Sequence, residues 1–161
     1  MSDPTATRGL PARPPLAARR VGYGVSVLLN TALLWLLNER PGWEAVPFLT
    51  SGTATVLGVV NASVAAAALV NLVDMVADPP WSTALGDVLV NVVGLVALVA
   101  LWRTFPFAFD PSPVDWATVA RVALGVSIGG TVIGAGVGSV RLVRSLTPPR
   151  HGVRPAAPHG P

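Results

Sequence analysis

An all-α membrane protein, a bundle of four transmembrane helices with disordered termini, is the fold class that three observations predict. The 161-residue chain is 52% hydrophobic and only 12% charged, too apolar for an ordinary water-soluble domain. Four long apolar runs are separated by short segments rich in Pro, Trp and Asp. One of them, Ser82 to Trp102, is twenty-one residues of mostly Val, Leu, Ala and Gly, interrupted by Asp87 and Asn91. A hydrocarbon core about 30 Å thick is crossed by about 20 helical residues, so one such run spans it.

Taken in order, residues 1–20 mix Pro, Ala and Arg with few large apolar side chains and read as a disordered tail. The first span is expected over 21–38, with Tyr23, Ser26 and Asn30 at helical spacing. The following segment lacks a small-x-small site, which argues against a cleaved signal peptide. Pro41-Gly42 breaks the chain, and Ser51 is the expected N-cap of a second span over 52–73. There Ala54, Gly58, Asn61, Ala65 and Ala68 recur every three or four residues, a small face that another backbone can approach. Asp74 and Asp78 end it, and the short connection to Pro79-Pro80-Trp81 joins antiparallel neighbours.

The third span, 82–102, takes Ser82 as N-cap; Ala84, Asp87, Asn91 and Gly94 form its small or polar stripe. Phe105, Phe107 and Phe109 alternate beside prolines, as in an extended segment lying at the membrane interface. Asp115 is the expected N-cap of the last span, 116–140, whose Gly130, Gly134 and Gly138, with Gly125 and Gly129, make a ridge for close helix crossing. Residues 145–161 read as a second disordered tail. The pairs Pro47-Phe48 and Pro106-Phe107, each following an outward span with a central Asn, form a weak internal echo of a duplicated hairpin.

All eleven basic residues are Arg, a bias that matches high-GC bacterial coding. Four precede the first span and four follow the last, against Arg40 and Arg103 in the first and third loops. The positive-inside rule then predicts a multi-pass protein of the cell membrane with both termini cytoplasmic. The same distribution explains the pI of 11.0 without nucleic acid. The lipid bilayer is the expected partner, with anionic lipids drawn to the Arg-rich tails, and a homo-oligomer or a membrane protein is the further partner class.

Asp87, Asn91, Asn61, Asn30 and Asn71 make up the candidate intramembrane polar cluster. Asn30, Asn61 and Asn91 lie near the middles of three different spans, so they are expected at one level, as interhelical glue or as a substrate site. An intramembrane carboxylate is a candidate proton or cation site. Asp87 lies level with Asn71, Tyr23, Ser26 and Ser139, and far from Arg121, which is expected to snorkel outward or turn to Asp115 or Asp110. Cysteine is absent, and both histidines, His151 and His159, are in the tail, so no cofactor or metal is expected and the enzyme class is set aside.

The segments Pro41-Gly-Trp-Glu-Ala-Val-Pro-Phe-Leu-Thr, Val60-Asn61-Ala-Ser, Asp78-Pro-Pro-Trp and Leu85-Gly-Asp resemble small uncharacterised four-helix integral membrane proteins of high-GC bacteria, over about residues 20 to 145. That resemblance implies the fold and no activity. Small multidrug-type exporters share the size class but carry their essential carboxylate in the first span, where this chain has none. Two function classes follow: a non-enzymatic scaffold or regulatory bundle acting on a membrane partner, and a small proton- or cation-coupled transporter using Asp87.

Overall fold

The computed structural model describes residues 14–77 and 79–147. Within them lie four helices, α1 (Leu16–Asn38), α2 (Thr53–Val76), α3 (Pro80–Thr104) and α4 (Trp116–Leu146), and a 3-10 turn at Trp43–Ala45. All four are long and apolar enough to cross a membrane, and they form an all-α four-helix bundle. Asp78 and most of both tails lie outside the described residues.

The helix ends show which local signals prevailed. Helix α1 begins at Leu16 rather than near Val21, because Leu16, Ala17, Ala18, Arg19 and Arg20 are strong helix formers placed directly after Pro15. Arg19 and Arg20 therefore ride on the helix. Helix α2 starts from Gly52, not from a Ser51 cap, and runs on to Val76. Helix α3 starts two residues before Ser82. Pro80 occupies its first position, where a missing N–H costs nothing, and Pro79 takes the place expected for the serine. At α4 the expected cap is present: Asp115 accepts from the Thr118 N–H at 3.1 Å and from the Thr118 hydroxyl at 2.6 Å.

Those two bonds, the hydroxyl first, hold the Asp115 carboxyl below its ordinary value. A depressed folded-state pKa contributes stability that is present above the unfolded value, about 4, and is lost as pH falls through the folded one. Asp115→Ala should therefore lower the melting temperature in detergent at pH 7, and its gap to the wild type should narrow towards pH 3. A gap that stays constant over that range would show that the carboxylate charge has no part in it.

Packing runs between sequential neighbours: α1 on α2, α2 on α3 and α3 on α4, with no extensive α1–α4 interface among the described residues. The neighbours are antiparallel. Gly24 lies opposite Met75 and Asn38 opposite Asn61; Gly86 lies opposite Val70 and Gly52 opposite Thr104; Gly138 lies opposite Val88 and Gly125 opposite Trp102. The bundle thus has a loop end, carrying the first and third loops, and a termini end. Few side chains are fully enclosed. Val56, Ala84 and Ala97 are buried, with Thr53 and Asp74 as the buried polar residues. Hydrocarbon is as apolar as these side chains, so close packing of small groups, rather than withdrawal from water, holds such helices together.

At the loop end the two long loops interlock. Leu49 and Phe107 form an antiparallel bridge, in which the Thr50 N–H donates to the Pro106 carbonyl at 3.0 Å and the Ala108 N–H to the Phe48 carbonyl at 2.9 Å. Pro106 is fully buried beneath it. Phe48 stacks on Phe109 with centroids 5.8 Å apart, and Phe107 meets Phe105 edge-on at 5.4 Å. The alternating phenylalanines are extended, as their spacing implies, and their partner is the first loop. The two Pro-Phe pairs of the internal echo lie on the two sides of this bridge.

Candidate functional site

The five polar residues singled out from the sequence are not gathered into one cluster. Three amides turn back on their own helices: Asn30 Nδ2 donates to the Ser26 carbonyl at 2.8 Å, Asn71 to Ala67 at 2.7 Å and Asn91 to Asp87 at 2.7 Å. This local bond, four residues back, satisfies the donor without a second helix. Asn61 does cross between helices, but to Asn38 at the end of α1: Asn61 Nδ2 donates to Asn38 Oδ1 at 2.6 Å, and Asn38 Nδ2 returns a bond at 3.0 Å. The expected layer of Asn30, Asn61 and Asn91 is thus replaced by one reciprocal amide pair. The signal available for Asn38 is that of a polar residue at the edge of an apolar run.

Asp87 faces α4. Its Oδ2 stands 3.9 Å from Nη1 of Arg141, with both side chains more than half exposed. Its expected neighbours are engaged elsewhere, Asn71 with Ala67 and Ser139 with the Ala135 carbonyl at 2.8 Å. Two glycines bring the ion pair together. A Cβ on Gly134 would lie 2.8 Å from Asn91 Oδ1, and one on Gly138 would lie 3.2 Å from Val88 Cγ2. That close approach of α3 and α4 carries Arg141, three residues beyond Gly138 on the same helical face, up to Asp87. The sequence places Arg141 one residue past the last span, 116–140; the helix continues to Leu146 and carries Arg141 on it.

Around this pair lies a cavity of about 330 Å³ walled by Pro80, Thr83, Ala84, Asp87, Arg141 and Arg144. A second cavity, about 250 Å³, lies between α2 and α3 and is apolar apart from Asp74 and Ser82. Asp74 is 6% exposed, far more enclosed than Asp87. Read from the sequence as a helix terminator, it lies eighteen residues after buried Val56, five full turns, and so on the same face. That periodicity was the signal available for its burial. Arg121 reaches towards the loop end, as expected, and meets aromatic rings rather than an acid: its guanidinium lies 4.1 Å from the Phe105 ring centroid and 6.0 Å from that of Trp102, a cation–π arrangement.

No protein-family model, curated protein or solved structure matches this chain.

Proposed function

We propose that this multi-pass membrane protein is a non-enzymatic scaffold or regulatory bundle that acts on a partner inside the membrane. The observation behind this reading is where the polar groups go. Three of the five candidate side chains each place an amide donor on their own helix, and a fourth pairs with Asn38, which is not among the five. The flanking helices α1 and α4 meanwhile each pack on one neighbour and turn Leu28, Leu29, Val126 and Ile133 outward, an apolar surface on which a membrane partner is met by packing alone. The arginine distribution supports a plasma-membrane location with both termini cytoplasmic.

The carrier reading rests on Asp87, a carboxylate in the wall of a cavity. Arg141 stands 3.9 Å from it as a counter-charge in the same wall. Reconstituted vesicles holding a pH-sensitive dye decide between the two. No proton flux above empty vesicles is expected under an imposed gradient, and none that depends on Asp87. Reproducible flux that vanishes in Asp87→Asn at equal protein amount would replace the scaffold with the carrier.

A further inference from the structure

The cavity between the termini ends of α3 and α4 has a charge excess that its own residues leave uncompensated. Two guanidiniums, Arg141 and Arg144, share its wall with one carboxylate, Asp87. The Arg141–Asp87 separation of 3.9 Å is beyond hydrogen-bond distance, so the carboxylate orients Arg141 without occupying its donors. Arg144 makes no ion pair with another described residue. The hydroxyls in the wall are already committed: Thr83 donates to the Pro80 carbonyl at 3.1 Å, and Ser145 to the Leu142 carbonyl at 2.7 Å. What the cavity offers a ligand is therefore guanidinium N–H groups above an apolar floor of Pro80 and Ala84.

Its depth in the membrane narrows the ligand further. Arg144 stands two residues from the end of α4, and exposed Trp81 lies next to Pro80 at the start of α3. An exposed tryptophan at a helix end marks the headgroup level. A phosphate ester is the anion that planar guanidinium forks bind best, and a space of about 330 Å³, against about 30 Å³ per water, admits one without repacking.

We infer that this cavity is a binding site for a phosphate group, supplied by the headgroup of an anionic phospholipid whose acyl chains lie along the outer surface of α3 and α4. The site is distinct from diffuse attraction to the tails, because it requires Arg141 and Arg144 on the helix and not Arg150 and Arg154 beyond it.

The test uses the full chain in neutral detergent with equal amounts of phosphatidylglycerol and phosphatidylcholine, reading the bound ratio by native mass spectrometry. Phosphatidylglycerol should be preferred by roughly fivefold or more, the size set by one arginine near a headgroup. The preference should fall towards unity in Arg144→Gln and in Arg141→Gln at unchanged helicity. It should persist when Arg150 and Arg154 are both changed to Gln. Survival of the preference in the Arg141→Gln, Arg144→Gln double variant, or its loss in the tail variant, would overturn the site. Inorganic phosphate should not displace the lipid when ionic strength is matched by chloride; displacement by phosphate alone would overturn the lipid source and assign the cavity to a soluble phosphate.

Discussion

Gly86→Ala should lower the thermal stability of the purified bundle by about 1–3 kcal/mol, the usual cost of forcing a methyl group into a closed contact. A Cβ on Gly86 would run into the Cγ1 methyl of Val70 across the α2–α3 interface. Val70 cannot easily turn away, since a β-branched side chain in a helix has one strongly preferred rotamer. The two helices must separate instead. Val70→Ala in the same chain should restore most of the loss, because it removes the methyl groups that the new Cβ meets. A Gly86→Ala variant that melts with the wild type would mean that α2 and α3 do not cross this closely.

Changing Gly134 and Gly138 together to Ala should have an effect of similar size on the α3–α4 side. The first new methyl meets Asn91 Oδ1, and Asn91 is pinned by its 2.7 Å bond to the Asp87 carbonyl; the second presses on Val88. Separating the helices would also draw Arg141 away from Asp87. Gly129 and Gly130 supply the internal control: nothing lies within 4 Å of a Cβ at either position, so the matching double change should cost nothing and can add helix propensity. Melting curves of the two double variants, measured side by side in one detergent, make the comparison. Equal losses in both would mean that the glycines act through the helix backbone rather than through this interface.

The four spans were legible because hydrophobic length is a one-dimensional property, and the Asp115 cap because it acts within three residues of itself. Interhelical pairing was not legible in the same way. Which carboxylate meets which guanidinium depends on rotation and vertical register, and those are set here by Val70 against Gly86 and Val88 against Gly138, contacts of packing shape rather than of residue class. The asparagines illustrate the limit. Depth in the span says which amides can meet, but an amide in a helix also has a carbonyl four residues back within reach, and Asn30, Asn71 and Asn91 all take it. Asp74 lay in plain view as an acid near a helix end, and only its phase relative to Val56 told it apart from a solvated terminator.

The Leu49–Phe107 bridge bears on how the assembly can deform. Helices α2 and α3 are joined through the short connection after Val76 at one end and fastened again by this bridge at the other, so they form a closed mechanical loop that resists splaying. Helices α1 and α4 pack on the outer sides of that frame, α1 through the Asn38–Asn61 pair and α4 through the close approach at Gly134 and Gly138.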